Sequence, residues 1–173
     1  KRQDQVFGYF GDYQSNIVEW YPFVAPYSQE EGWIAHDPSG VGEHLVYESA
    51  DFDVAFKVLS DENPIVAASA EGFKEGDSMR YQLKGARSFA FSVGSHLRSQ
   101  TVASENASVT SFFYPNYDVA GEAIMDAASE AIDIYSERFA PYPYESLSIV
   151  QTDLPDGMEY DGLIFMGSEF YGE

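Results

Sequence analysis

The feature that most constrains this chain is a period-two alternation that recurs through its first half. Between 51 and 59, Phe52, Val54, Phe56 and Val58 alternate with Asp51, Asp53, Ala55 and Lys57. That spacing puts every second side chain on one face of a pleated strand. Met79, Tyr81 and Leu83 repeat it after the turn residues Glu75-Gly76-Asp77, and Phe89, Phe91 and Val93 repeat it after Gly85, so hairpin-linked antiparallel strands are expected. Further strands are expected over 64–70, where the leading proline suits a strand start, and over 109–114. The stretch 20–42 mixes proline, glycine and aromatic residues without either periodicity. It is expected to be a long ordered loop packed by Trp20, Tyr21, Phe23, Tyr27 and Trp33.

The second half changes period. Asp118 is placed to cap a helix in which Ile124, Ala128, Ala131, Tyr135 and Phe139 recur at spacings of three or four. Pro141 and Pro143 stop it, because proline cannot continue the backbone ladder and restricts the residue before it. Two strands are expected next, over 147–151 and 163–170, separated by an acidic turn over 153–162. The last strand would end beside Glu173 with no closing element, as in a chain cut inside a larger domain. The open edge of such a sheet is a template for pairing with a second copy.

Charge bounds what these elements can do. Among 173 residues, 29 acidic against 9 basic side chains leave a net charge of −20, and the longest basic run is Lys1-Arg2. Nucleic acids and anionic membrane surfaces are recognised by clustered cations, so neither is expected as a partner. No apolar run approaches the roughly 18 residues that span a bilayer. The 45% hydrophobic and 16% aromatic content is that of a chain that folds despite self-repulsion. Cysteine is absent, which removes disulfides, thiolate nucleophiles and thiolate-bound metals, and leaves the compartment unmarked by redox chemistry.

Metal and catalytic motifs are sparse. His36, His44 and His96 are scattered, and no pair has the i, i+4 spacing that brings two imidazoles to one metal. Counted as an EF-hand loop, the acidic turn would begin at Gly157 and end at Ser168, neither of which supplies the required carboxylate. An irregular calcium site of Asp153, Asp156 and Asp161 stays open as an alternative. Nucleophile-elbow and phosphate-loop motifs are absent. Asn106-Ala107-Ser108 is a glycosylation sequon, of consequence only in a glycosylating pathway.

The order of elements near the end is more specific. A helix end, Tyr135-Ser136-Glu137-Arg138-Phe139, runs into Ala140-Pro141-Tyr142-Pro143-Tyr144, then a strand, then Asp156-Gly157-Met158-Glu159-Tyr160, then Gly162-Leu163-Ile164-Phe165. This resembles the zinc aminopeptidase family typified by aminopeptidase N, of the gluzincin metallopeptidases, with its exopeptidase signature G-x-M-E-N. Upstream, Trp20-Tyr21-Pro22, Ala25-Pro26-Tyr27, Gly32-Trp33 and Asp51-Phe52-Asp53-Val54 are similar to the family's N-terminal β domain, and Ala86-Arg87-Ser88-Phe89-Ala90-Phe91 to its last strands. The sequence departs from the signature at Asp156, in place of its first glycine, at Tyr160, in place of asparagine, and at Asp161, where proline is usual.

The resemblance implies an α+β fold, mainly antiparallel β. Residues 1–104 would be the end of a β-sandwich or saddle domain, and 105–173 the first helix and strands of a truncated thermolysin-like catalytic domain. It implies that Glu159 binds the free amine of a peptide substrate, with Gly157 and Met158 as the backbone against which substrate extends, flanked by Asp156 and Tyr160. It further implies zinc in the parent enzyme, on an H-E-x-x-H motif that this sequence lacks, so no catalytic or metal-binding residue is expected here. The competing expectations are an aromatic-rich β-sandwich module presenting Trp20 and Trp33 to a sugar or protein, and a catalytically silent homologue.

Overall fold

The computed structural model describes residues 7–10, 13–35, 48–59 and 64–172. In chain order its strands are β1 (Gly8–Phe10), β2 (Gln14–Ile17), β3 (Tyr27–Ser28), β4 (Gly32–Trp33), β5 (Ala50–Phe56), β6 (Ile65–Ala68), β7 (Gly72–Glu75), β8 (Ser78–Ala86), β9 (Phe91–Gly94), β10 (Arg98–Ala103) and β11 (Ser108–Phe113). Helix α1 (Asp118–Arg138) follows, then β12 (Ser146–Thr152), β13 (Gly157–Tyr160), β14 (Leu163–Gly167) and a 3₁₀ turn, Ser168–Tyr171.

A four-stranded sheet, ordered β1-β2-β9-β6, lies at the centre. Its inner strands meet a core on each face, so that neighbouring residues such as Ala67 and Ala68 of β6 join different cores. Ala68 and Phe91 pack with Tyr81, Leu83 and Phe89 against the three-stranded sheet β5-β8-β7. Ala67, with Val18 and Leu97, packs on Val150, Leu163 and Phe165 of the five-stranded sheet β10-β11-β12-β14-β13. That sheet is mixed, since β11, β12 and β14 run parallel while β10 and β13 are antiparallel to their neighbours. Its far face carries α1 through Val109, Ile149, Met125 and Ile132. Buried amides also bind the two halves together. Gln14 Nε2 donates to Ser92 Oγ and to the Gln151 carbonyl, each at 3.0 Å, and Gln151 Oε1 accepts the Tyr114 N–H at 2.9 Å.

Several expectations are corrected. Only β7 and β8 form a sequential hairpin in the three-stranded sheet. Beyond Gly85 the chain leaves it, and β9 pairs instead with β2 and β6. The turn at 104/105 joins β10 and β11, which pair along their length in one sheet. Asp118 does not cap α1. The N-cap is Tyr117, with no side-chain cap bond, and Asp118 instead accepts from Arg98 Nη1 at 3.0 Å within the acid-favouring first turn.

The buried face of α1 is Gly121, Met125 and Ile132, whereas Tyr135 and Phe139 are 61% and 82% exposed. Gly121 sets that face, because a Cβ there would lie 2.2 Å from the Phe113 ring. The loop over 20–35 contains the β3–β4 hairpin, and its rings are less covered than expected, with Tyr27 62% and Trp33 65% exposed. The part of that loop beyond Ala35, with His36, lies outside the described residues, as does His44. The last strand is not at an edge either. β14 sits between β12 and β13, and the 3₁₀ turn closes it.

Candidate functional site

The acidic turn expected over 153–162 contains a strand. β13 is the edge of the five-stranded sheet, antiparallel to β14 with Glu159 opposite Ile164 and Met158 opposite Phe165. Alternation divides its residues. Met158 and Tyr160 pack toward Phe165 and Val150 in the core, with the Tyr160 and Phe165 rings edge to face at 5.8 Å. Gly157 and Glu159 are exposed. Asp156, also exposed, accepts the Gly157 N–H on its own carboxylate at 2.9 Å.

Glu159 lines a groove of about 810 Å³ whose other wall is the C-terminal half of α1 and the segment after it, including Ile132, Tyr135, Tyr142 and Tyr144. Its carboxylate makes no hydrogen bond or ion pair among the described residues, and β13 presents its outer backbone edge unpaired by any described strand. The arrangement can therefore hold a cation on one side chain while pairing an extended chain along the strand.

The turn that aims Glu159 is clamped. Asp161 Oδ2 accepts the N–H groups of Arg87 at 2.7 Å and Ser88 at 2.9 Å, and lies 3.2 Å from the Ser88 hydroxyl. Its other oxygen accepts the Tyr144 hydroxyl at 2.6 Å. Burial, then this bond and the Asp161 charge, raise the Tyr144 phenol well above its ordinary value, while Arg87 opposes the rise. One carboxylate thus ties the β13–β14 turn to the β8–β9 crossover and to the segment after α1. Asp161→Ala is expected to cost about 2 to 4 kcal/mol in urea denaturation, because four donors lose a shared partner. Asp161→Asn should recover part of it.

Asp153, Asp156 and Asp161 do not assemble the irregular calcium site. Asp161 is saturated by these donors, Asp153 accepts the Tyr13 hydroxyl at 3.2 Å, and among the described residues no group of three His, Cys, Asp or Glu side chains could hold a metal ion. Separately, Tyr21, Phe23, Tyr27, Trp33 and Phe52 line a pocket of about 500 Å³ that reaches Arg87.

The roles of Asp161, Tyr144 and Arg87 are not evident from the sequence reading. The missed signal is the dipeptide Asp161-Gly162 between two strand-forming runs, which is a two-residue hairpin mark.

No protein-family profile matches the chain, and no curated protein matches it in sequence. In structure it is similar to leukotriene A4 hydrolase from Saccharomyces cerevisiae, at 14% identity and a TM-score of 0.53 over 69% of this chain and 19% of that one. It is also similar to the M1 zinc metallopeptidase from Deinococcus radiodurans, at 13% identity and a TM-score of 0.46, covering 69% of this chain and 30% of that one. A mutant of that peptidase bound to a Tyr-Ser-Ala substrate matches at 14% identity and 0.48, covering 72% and 31%. The chain spans less than a third of each of these proteins. The likeness to the yeast hydrolase shows the fold, the mainly antiparallel α+β arrangement that the sequence resemblance implies.

Proposed function

We propose that this chain is the amine-recognising part of a zinc metallo-aminopeptidase, a hydrolase that removes residues from peptide N-termini. The observation that carries the reading is Glu159, an exposed carboxylate without a partner among the described residues, set on an edge strand and facing a groove. The fold shared with a hydrolase and the signature segment from Asp156 to Tyr160 support it. Glu159 accepts charge-assisted hydrogen bonds from the ammonium of a peptide, which makes a chain end distinguishable from an internal peptide bond. The outer edge of β13 at Gly157 and Met158 pairs with the peptide backbone and so tolerates any side-chain sequence. Met158 and Tyr160 act through that backbone and by fixing the strand from the core side, and Asp156 adds a second negative charge nearby.

The described residues do not fit a zinc ion, and H-E-x-x-H does not occur in the sequence. In this reading the metal belongs to parts of the enzyme other than these 173 residues. The chain is expected to bind peptide N-termini without cleaving them.

Titration calorimetry tests this. Glu159→Gln is expected to weaken binding of a free-amine peptide about ten- to a hundredfold, the equivalent of one charge-assisted contact of 1.5–3 kcal/mol, and N-acetylation of the peptide should do the same. Equal affinity for free and acetylated peptide would refute the reading, as would chelator-sensitive cleavage of an aminoacyl anilide by the pure chain.

A further inference from the structure

We propose that the aromatic pocket at the β3–β4 hairpin binds a trimethylammonium group, of the kind carried by choline or by a methylated lysine. The proposal goes beyond the peptide-end reading and uses neither Glu159 nor β13.

Rings make most of the pocket. Tyr21, Phe23, Tyr27, Trp33 and Phe52 all line its volume of about 500 Å³. Tyr27 stands opposite Trp33 in the hairpin register, and the two rings meet edge to face at 5.1 Å and 68°. Tyr21 and Phe52 meet in the same way at 5.2 Å and 66°. These last two pack on the buried core around Phe89, which fixes them, whereas Phe23, Tyr27 and Trp33 keep much of their surface exposed. Rings set steeply to one another wall a volume from several sides, as parallel stacked rings would not. The face of each ring carries the negative lobe of its quadrupole, so such walls attract a cation without a hydrogen bond.

The scarcity of hydrogen-bonding groups selects among cations. Apart from the two tyrosine hydroxyls, the polar side chains of the lining are Glu48, Ser49 and Arg87. An ammonium that keeps its N–H groups would leave donors unsatisfied against ring faces, at a cost that the rings do not repay. A trimethylammonium has no N–H to satisfy. A sugar is disfavoured for the same reason, since its many hydroxyls would find few partners. Charge points the same way. The Glu48 carboxylate lines the pocket, Glu30 and Glu31 stand exposed in the turn of the same hairpin, and the chain as a whole carries −20. Arg87 is the one opposing charge among the lining residues, so it lowers the affinity for a cation rather than supplying it.

The test is calorimetric titration of the whole chain with two ligand pairs: choline against ethanolamine, and the acetylated amide of trimethyl-lysine against that of lysine. In at least one pair the trimethylated member is expected to bind about tenfold or more tightly than its unmethylated partner, and the pair that shows this identifies the carrier of the group. Trp33→Ala and Tyr27→Ala should each weaken that binding about tenfold, while Trp33→Phe keeps part of it. Glu48→Gln should weaken it and Arg87→Gln should tighten it. Both hairpin rings are exposed, so the thermal midpoints of their variants should hold. Glu159→Gln should leave this binding unchanged, and Trp33→Ala should leave peptide-end binding unchanged, so the two readings fail separately.

Equal binding within both pairs overturns the proposal, and so does an absence of binding by all of these ligands. Binding that ignores both Trp33→Ala and Tyr27→Ala overturns it too, because the rings would then not be the site. Maltose titrated alongside separates the remaining case: binding that depends on Trp33, with no response to either trimethylated ligand, would make this a sugar site and refute the assignment.

Discussion

Gly162→Ala is expected to destabilise the fold by about 2 to 4 kcal/mol, and Gly162→Val to leave no soluble folded protein. Gly162 has φ +70, and a Cβ there would lie 2.0 Å from the carbonyl oxygen of Ser69 and 2.9 Å from its carbonyl carbon. The left-handed conformation alone costs alanine about 1 kcal/mol, and overpacking adds about 1–3 kcal/mol when the neighbour cannot retreat. Ser69 cannot retreat cheaply. It is fully buried, its N–H donates to the Ala90 carbonyl at 3.0 Å, and its hydroxyl accepts the Ala90 N–H at 3.0 Å. Gly162 is held from the other side, where its carbonyl accepts the Ser148 N–H at 2.9 Å. The turn that aims Glu159 is thus pressed backbone to backbone against the central sheet. With total stabilities of about 5–15 kcal/mol, such a loss is large. Urea denaturation of the alanine variant measures it, and an unchanged midpoint would show that Ser69 yields after all.

The strands legible in the sequence are those whose alternation is set by one buried face. β5 and β8 are of this kind, each with one face on the aromatic core around Phe89. Partner choice was not legible, because alternation reports which face is buried and says nothing about which sheet buries it. Phe91 and Val93 therefore read as one more hairpin strand, although β9 crosses to another sheet. β13 was hidden for a different reason. As an edge strand it exposes Gly157 and Glu159 and buries Met158 and Tyr160 only partly, so its acidic composition resembles a loop. In α1 the mistaken face followed the large residues Tyr135 and Phe139, while contact is set by Gly121, whose lack of a side chain admits the Phe113 ring. Glu159 was singled out only through the resemblance of its neighbours to a signature, and that it lines a groove became visible only in the fold. The Asp161 clamp was not, since its donors come from Arg87, Ser88 and Tyr144, which only folding brings together.

Alkaline unfolding should be steep and should begin near pH 10. Burial pushes the Tyr171 and Tyr142 phenols up to about 12, and it raises Tyr13, Tyr21, Tyr81 and Tyr114 as well. In the unfolded chain a tyrosine ionises near 10. Below that pH both states hold the proton and the stabilisation is fully present. Between about 10 and 12 the unfolded chain releases protons that the native chain retains, so stability falls as pH rises and is lost once the folded phenols ionise. For Tyr171, only 4% exposed, this contribution is on the order of 3 kcal/mol. Three of the tyrosines also donate structural bonds, Tyr114 to the buried Gln14 amide oxygen, Tyr144 to Asp161 and Tyr13 to Asp153, and each bond needs the phenolic proton. Each phenolic proton released also deepens the self-repulsion of a chain already at −20. Tyrosinate absorbance in the near ultraviolet should rise in one cooperative step together with loss of the β-sheet circular dichroism, and tyrosine-to-phenylalanine replacement at Tyr171 should move that step to higher pH. A gradual titration with the dichroism intact beyond about pH 12 would mean that the phenols ionise in place, and that burial does not hold their protons.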